Sequence, residues 1–408
     1  MNNKINIFGF ENFLYLKLIN FIFFFQSCFL NFFSFSLIKT DKPKNILVFR
    51  VSALGDFIFS IPSYHYLRDN FPGSNIYLLS AISFQKRHIV AARNYAPQEK
   101  LPWLVLLKPG LIDRFVSISS SEIGETLRVR RIVKSLHIDA CVILTHSGEN
   151  FLSQLKKIVY LRAIGVTCKI LGHKSTSNKS VFKAIQYNNN LFDHNIISSL
   201  KSANQLCPKK KLPINDIRFD INILPKSKIK ISKIIKIAAL KNKKIIILAP
   251  GSIKEHKKWP IENFVKLSEL LVNKFNIFIF IIGTPSDSVL GDTLVNFFKK
   301  KNIMNLAGLI SINESAELLA NSHLLVGNDG GAMHLGASVG TNVVSIISGI
   351  EYPGSIEPWK NEKFSVRFST PCSPCYSFES CPLHHNDCIN KISVASVLKK
   401  CELALNIK

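Results

Sequence analysis

Four short loops, each directly after an apolar run, contain the residue types that could carry out chemistry. In the first loop, Gly55 permits a tight turn, and Asp56 stands where a strand would pass into a helix. A carboxylate in that position could take a proton from a substrate as a general base. The spacing alone favours a different role, a cap at the amino terminus of the helix that follows, which Asp does well.

Two loops in the second half of the chain carry further polar groups. Ser252 lies in a Gly-Ser turn that is followed by several cations, among them Lys257, and this combination suits a phosphate. A solvated charged loop would have the same composition. In the next loop, Asp287 could accept hydrogen bonds from ribose hydroxyls, or it could cap the following helix.

The fourth loop, GNDGGAMHL over residues 327–335, contains Asp329, two adjacent glycines and His334. Gly330 and Gly331 leave backbone N–H groups unblocked at the start of a helix, whose positive end attracts anions. His334, in the first turn, could add another donor. By itself a Gly-Gly pair before a helix is a weak motif, and the loop matches neither the P-loop nor the dinucleotide-binding fingerprint.

The elements that must position these loops alternate between strand and helix. Continuous apolar runs predict buried parallel strands, with stretches of helical spacing between them. The predicted strands are NILVFR, NIYLLS, RFVSI and DACVIL, then KKIIILAP, IFIFIIG, HLLVGND and NVVSIIS. We interpret the Lys-rich stretch from Asn195 to Asn242 as an interdomain region, and we predict a capping box formed by Ser311 and Glu314. Two open parallel α/β sheets are therefore expected, with ligands at the carboxyl ends of their strands.

Taken in order, these motifs resemble one family. The series ILVFR-VSALGD, LAPGS-x5-KWP and LVGNDGGAMHLGASVG is similar to that of the bacterial lipopolysaccharide heptosyltransferases of glycosyltransferase family 9. The tail, Cys372-x-x-Cys375 with Cys381 and Cys388, is similar to the tail of many members. The resemblance covers the chain from about Asn45 to its end.

The resemblance implies a GT-B fold, in which two Rossmann-like α/β domains face each other across a cleft. It divides the chain into a Phe-rich extension (1–44), an acceptor-binding domain (45–225), a nucleotide-sugar-binding domain (240–390) and a C-terminal helix (391–408). The implied reaction moves heptose from ADP-heptose to the inner core of a lipid A-linked oligosaccharide, with inversion at the anomeric carbon. No cofactor is expected.

The resemblance also implies roles for particular residues. Asp56 would be the general base, and Lys257 with the N–H groups at Gly330 and Gly331 would hold the pyrophosphate. The remaining donor-binding side chains would be Ser252, Asp287, Asp329 and His334. Gly330 departs from the family pattern, because Thr or Ser often stands there and could contact a phosphate through its hydroxyl. This departure leaves the identity of the donor sugar more open.

The composition agrees with an anionic substrate. With 52 basic and 27 acidic residues the net charge is +25, which favours a phosphorylated acceptor and the anionic inner face of a membrane. A base-composition bias could also produce it, since Lys, Asn, Ile and Phe are all frequent. The sequence contains no D-x-D pair that could cradle a divalent metal, so lysine, backbone amides and a helix dipole must meet the leaving diphosphate.

Two rival functions use the same features. One is a transferase of the same fold that takes another nucleotide sugar. The other is a basic zinc-binding nucleic-acid protein, but this reading does not explain the two α/β halves, so we expect no nucleic-acid partner. The four cysteines near the end could bind zinc, but their later spacing, x5 and then x6, is not that of a tight zinc knuckle, so reduced cysteines in a packed tail are the favoured interpretation.

The first forty residues differ from the rest. Leu18 to Ile38 contains no charged residue and is rich in Phe, a length that could cross a membrane once. The segment could instead lie at the membrane interface or have no role, and no cleavage site for a secretory signal follows it. We therefore expect a cytoplasmic protein that is peripheral to, or anchored at, the inner face of the inner membrane.

Overall fold

The computed structural model describes two compact units. The described residues are 32–34, 42–51, 53–81, 102–118, 122–147, 149, 151–173, 193–239, 242–299, 302–377 and 380–406. The first unit contains those up to Arg218, except Ala53–Ile58 and Pro102–Pro109, and the second unit contains these two segments and the chain from Phe219 onward.

The first unit is built on a five-stranded parallel sheet in the order β3-β2-β1-β4-β5. Its strands are β1 (Asn45–Val51), β2 (Asn75–Ala81), β3 (Arg114–Ile118), β4 (Ala140–Ile143) and β5 (Ile170–Leu171). The helices of this part of the chain are α1 (Leu54–Asn70), α2 (Ile123–Ser135), α3 (Phe151–Ala163) and α4 (Asn195–Asn204), and of these α1 has its first residues, up to Ile58, in the second unit. In the central strand, Leu47 lies opposite Tyr77 on one side and Cys141 on the other.

The second unit repeats this plan with a parallel sheet in the order β10-β9-β6-β7-β8. Its strands are β6 (Lys244–Ala249), β7 (Ile277–Ile281), β8 (Ile303–Asn305), β9 (Leu324–Asn328) and β10 (Val343–Ile346). Its helices are α5 (Pro225–Ala239), α6 (Ile261–Lys274), α7 (Ser288–Phe297), α8 (Ile312–Ala320), α9 (Gly331–Ser338), α10 (Asp387–Asn390) and α11 (Val394–Leu405). Short 3-10 turns span Pro102–Leu106, Glu255–Lys257, Pro285–Asp287 and Glu362–Phe364.

The strands of the second sheet are mostly apolar, as is typical of parallel sheets that helices cover on both faces. Every residue of β7 and of β9 is buried, so each strand is covered on both faces, as parallel sheets require. Leu248, Phe264 and Ile279 belong to the core of the second unit, which also includes apolar residues of α11. The predicted strands and the alternation with helices are confirmed, as is the capping box, in which Ser311 and Glu314 bond each other's backbone N–H groups.

The interpretation of the stretch from Asn195 to Asn242 as an interdomain region is wrong for helix α4. This helix belongs to the first unit, and Ser199 in it is buried with its hydroxyl 2.8 Å from that of Ser63. Small hydroxyl side chains that bond one another can enter a core without an apolar sequence pattern. The polar composition of this stretch therefore gave no indication that helix α4 belongs to the core of the first unit.

The amino-terminal prediction lies mostly outside the described residues. Of the Phe-rich segment only residues 32–34 are described, and the Ser34 hydroxyl lies 3.2 Å from Nε2 of His173 in the first unit. Within the part of the chain that the structure describes, every helix is too short or too polar to span a bilayer.

Gly172, directly after β5, lies very close to the backbone of the neighbouring strand β4. Gly172 has a φ of +91°, and a Cβ there would lie 1.9 Å from the carbonyl oxygen of Ile143 in β4. Gly110, in the same unit, has a φ of +87° with nothing within 4 Å of a Cβ. We expect Gly110→Ala to lower the free energy of unfolding by about 1 kcal/mol through backbone strain. Gly172→Ala should cost about 3 kcal/mol or more, because a clash with rigid backbone is added.

Urea denaturation followed by circular dichroism measures the loss of unfolding free energy in each variant. Both losses are taken from the transition in which the first unit unfolds. Equal losses for the two variants would contradict the close approach of Gly172 to β4.

Candidate functional site

The carboxyl ends of β6 and β9 bring two of the polar loops together. These strands are parallel neighbours, and Ala249 at the end of β6 lies opposite Gly327 in β9. The loops that follow them therefore leave the sheet at the same edge, as the carboxyl ends of parallel strands do. One loop carries Ser252 and Lys257, and the other carries Asp329 and the glycine pair.

Asn328 joins the two loops. Its side-chain Nδ2 donates to the carbonyl of Pro250 at 2.6 Å, and its Oδ1 accepts the backbone N–H of Trp259 at 3.0 Å. The Trp259 side chain is buried and donates to the carbonyl of Ile392 at 2.8 Å. Both ends of the loop that carries Lys257 are thus fixed by one buried amide, a role that the sequence analysis did not assign.

Lys257 is the centre of a buried ionic cluster. Its Nζ donates to Oδ2 of Asp329 at 2.6 Å and lies 3.6 Å from Oε1 of Glu351. The three side chains are only 12, 7 and 19% exposed, respectively. Charges this well buried are tolerated only when they are paired, because the desolvation cost of an isolated ion is large.

The pairing shifts the pKa of each group. Burial alone would lower the pKa of Lys257, but the neighbouring carboxylates of Asp329 and Glu351 outweigh it and the pKa is raised. Burial would raise the pKa of Asp329, but the charge of Lys257 outweighs that effect and lowers it. Glu351 is different: burial, with the negative charges of Asp329 and Asp56, raises its pKa to about 7 despite Lys257.

The loop that carries Glu351 is fixed by Arg367. The Arg367 guanidinium donates from Nη1 to the carbonyls of Ser348 and Glu351 at 2.9 and 3.0 Å, and from Nε to Glu357 at 2.8 Å. The second oxygen of Glu357 accepts the N–H of Gly354 at 2.7 Å. Sequence reasoning missed Glu351 and Arg367, since neither follows a motif or a regular spacing.

The glycine pair opens helix α9 beside this cluster. A Cβ at Gly331 would lie 2.7 Å from the Leu54 side chain, so the close approach there requires glycine. At Gly330 the nearest atom to a Cβ would be 3.8 Å away, so the space would admit a side chain. The first N–H groups of α9 have no partner within the helix and carry its positive dipole end. His334, in the same helix, is buried.

Ser252 and Asp287 lie at the same edge of the sheet. The Ser252 hydroxyl donates to the backbone carbonyl of Asp329 at 3.2 Å. Asp287 accepts the N–H and the hydroxyl of Thr284 at 2.8 and 2.6 Å in the capping box of the short turn Pro285–Asp287. It stands at the capping position of α7, but its side chain makes no capping hydrogen bond to that helix, so the expected cap of the following helix is not formed by this carboxylate. A Cβ at Gly251 would lie 2.3 Å from the Asp287 carboxyl, so this side chain packs directly against the Gly-Ser turn.

Asp56 is the third residue of α1, which begins at Leu54, so it occupies the first helical turn and not the capping position. The segment Ala53–Ile58 belongs to the second unit, and the charge of Asp56 contributes to the raised pKa of Glu351. A Cβ at Gly55 would lie 2.7 Å from the His334 ring. The second unit therefore contains every predicted site residue.

The cysteine-rich tail shows one contact of interest. Cys372 Sγ lies 3.9 Å from Nε2 of His385, and backbone N–H groups of residues 383–386 lower the pKa of Cys381 against the effect of burial. Among the described residues, no three His, Cys, Asp or Glu side chains are arranged to hold a metal ion.

Two parallel sheets of this order, each flanked by helices, are the Rossmann-like halves of a GT-B fold. Residues 162–385, more than half of the chain, match the model of glycosyltransferase family 9 (heptosyltransferase). The chain belongs to this family and is a glycosyltransferase.

Known proteins agree with this assignment. Lipooligosaccharide heptosyltransferase 2 of Haemophilus influenzae is 24% identical over 312 residues, 74% of this chain and 82% of that protein. The Haemophilus ducreyi protein of the same name is 30% identical over 109 residues, which are 26% of this chain and 31% of that protein.

Solved structures share the fold. Escherichia coli ADP-heptose LPS heptosyltransferase II aligns with a TM-score of 0.61 at 15% identity, covering 89% of this chain and 99% of that one. A glycosyltransferase family 9 protein from Veillonella parvula aligns with a TM-score of 0.60 at 17% identity, covering 90% and 98%. The predicted GT-B fold and the family are thus confirmed.

The ionic cluster generates a prediction about nucleotide binding. Lys257→Ala should weaken ADP binding by roughly 1.5–3 kcal/mol, the usual contribution of a hydrogen bond to a charged group. Isothermal titration calorimetry measures the change. The melting temperature is recorded in parallel, since the variant leaves Asp329 buried without its partner.

The matched control is Lys258→Ala, which removes the same charge from the adjacent residue. Lys258 pairs with the exposed Glu255 at 2.6 Å, so its loss should leave ADP affinity nearly unchanged. An ADP affinity that is the same for wild type and Lys257→Ala would remove Lys257 from the binding site.

Proposed function

We propose that this protein transfers heptose from ADP-heptose to the inner core of a lipid A-linked oligosaccharide, with inversion at the anomeric carbon. The observation that carries the proposal is the buried lysine beside the opening of α9, at the carboxyl edge of the second sheet. Cation, free amide groups and helix dipole together suit the diphosphate of a nucleotide sugar.

The contacts of Lys257 support a role in diphosphate binding. Its contact with Glu351, at 3.6 Å, is longer and weaker than its 2.6 Å hydrogen bond to Asp329. A phosphate oxygen can therefore replace Glu351 while Asp329 keeps the ammonium in position. The N–H groups at Gly330 and Gly331 supply neutral donors, so the charge of the leaving ADP is met without a divalent metal.

Asp56 is the base in this proposal. Its carboxylate accepts the proton of the acceptor hydroxyl while that oxygen attacks the anomeric carbon from the side opposite the diphosphate. The bond between this carbon and the diphosphate oxygen breaks, and its electron pair leaves with ADP. A single displacement of this kind inverts the anomeric configuration.

The charge distribution supports an anionic, membrane-borne acceptor on the cytoplasmic side of the inner membrane. Helix α5 carries exposed lysines, among them Lys226, Lys228 and Lys233, and contains no acidic residue. Such a surface is attracted to anionic headgroups and to a phosphorylated oligosaccharide. The relatives named above are a lipooligosaccharide heptosyltransferase and an LPS heptosyltransferase.

The direct test is product analysis by mass spectrometry. With ADP-heptose and a truncated, heptose-free core acceptor, we expect the acceptor mass to increase by one heptose unit and ADP to be released. The same assay is run with other ADP- and UDP-sugars. Transfer of another sugar alone would overturn the heptose assignment and favour a transferase of the same fold with a different donor.

A separate prediction tests the base. Asp56→Asn keeps the shape of the side chain but cannot accept a proton at neutral pH, so turnover should fall by at least roughly a hundredfold. Donor affinity should stay within about threefold, and unfolding free energy within about 1 kcal/mol, since a first-turn acid contributes no more than that. Turnover, calorimetry and melting temperature measure the three quantities.

Asp56→Ala serves as the companion variant, with equally low turnover expected. If Asp56→Asn turns over at nearly the wild-type rate, Asp56 only stabilises the first turn of α1 and the base must be another residue.

A further inference from the structure

We propose that Glu351 is a donor-binding residue that must hold a proton for the donor to bind, so that above neutral pH each nucleotide sugar enters together with one proton. The proposal rests on the proposed function, because it takes Lys257 as the cation that meets the diphosphate. The loop that carries Glu351 belongs to none of the four motif loops of the sequence.

The geometry of the cluster creates the requirement. Lys257 lies between Asp329 and Glu351, and these three groups carry one net negative charge when all are ionised. A diphosphate that approaches Lys257 must then enter next to a carboxylate of its own sign. When Glu351 holds a proton, the cluster is neutral and the protonated carboxyl can donate a hydrogen bond to a phosphate oxygen.

The surroundings of Glu351 favour the protonated form. The charged groups that act on it are the cations of Lys257 and Arg367 and the anions of Asp329 and Asp56. Tyr376 also lies near it, since burial first and then the charge of Glu351 raise the pKa of that tyrosine. Burial is the largest effect, and with the two anions it outweighs the cations and raises the Glu351 pKa to about 7. The residue is therefore divided between its two forms near neutral pH.

The backbone around Glu351 opposes removal of the repulsion by movement of the whole loop. Arg367 holds the Glu351 carbonyl at 3.0 Å, and the carbonyls of Gly349 and Ile350 accept the N–H groups of Cys375 and Tyr376 at 3.2 and 2.9 Å. Movement of the loop away from Lys257 would break these three bonds. Protonation of one carboxyl breaks none of them.

Because donor binding is linked to protonation of Glu351, donor affinity should fall as pH rises. Below about pH 7 Glu351 already holds its proton, so donor binding takes up none. Above that pH the proton must come from solvent, and affinity falls by up to tenfold for each further pH unit. The fall ends where pH reaches the higher pKa of Glu351 in the complex.

The test measures donor binding by calorimetry at pH 6.0 and 8.5, with ADP-heptose as the probe. Its diphosphate is a diester, so its own charge is constant over this range. At pH 8.5 the titration is repeated in Tris and in the sulfonate buffer EPPS, neither of which is a phosphate, and their different heats of ionisation report the number of protons taken up. For wild type we expect close to one proton, and an affinity at least roughly tenfold weaker than at pH 6.0.

Glu351→Gln mimics the permanently protonated side chain. We expect it to bind the donor equally well at both pH values, to match wild type at pH 6.0 and to take up no proton. The matched control is Glu402→Gln, which removes one negative charge from the surface pair with Lys274. This control should keep the wild-type pH dependence, because Glu402 belongs to α11 and not to the Lys257 cluster.

Wild-type binding without proton uptake at pH 8.5 would overturn the proposal, and this measurement does not depend on whether any variant folds. The same conclusion would follow if Glu351→Gln kept the wild-type loss of affinity at pH 8.5. Absence of ADP-heptose binding in every variant at both pH values would contradict the proposed function itself, a result that is distinct from pH-independent binding.

Discussion

The hydrogen bond between Lys257 and Asp329 is the interaction on which the site depends. A lysine this deeply buried stays charged only because a carboxylate lies 2.6 Å from its ammonium, and that carboxylate is stable only because of the lysine. Loss of Lys257 would leave Asp329 as an unpaired buried charge, at a cost of about 3–5 kcal/mol, whereas loss of Asp329 would leave the ammonium only its longer contact with Glu351. The pair is thus kept as a unit, and its ammonium is available to an anionic ligand only when the Glu351 carboxylate does not repel that ligand.

Parallel strand register brings this pair together. Lys257 and Asp329 are 72 residues apart in the chain, yet they follow two strands that are hydrogen-bonded neighbours. The buried strands provide the rigidity, and the Asn328 side chain transmits it to both loops. The apolar strands form the rigid sheet, and a few polar residues at the carboxyl ends of these strands form the phosphate-binding edge.

The fold could be predicted further than the site. Apolar runs and helical spacing identify the strands and most helices, because burial imposes a period on the sequence. The positions of Lys257 and Asp329 could be expected at strand ends, but their mutual contact could not, since side-chain pairing across a sheet edge leaves no local pattern. Glu351 and Arg367 were missed for the same reason. Asp287 was left with two possible roles, and its side chain caps the turn Pro285–Asp287 but not the helix α7 that follows.

A crystal structure of the protein with ADP bound tests the central claim most directly, namely that Lys257 meets the diphosphate while Asp329 holds it. The account predicts a phosphate oxygen about 2.8 Å from Lys257 Nζ and others within hydrogen-bond distance of the Gly330 and Gly331 amides. The Lys257–Asp329 contact should persist and the contact with Glu351 should be replaced. A diphosphate bound elsewhere, with Lys257 still between Asp329 and Glu351, would contradict the account.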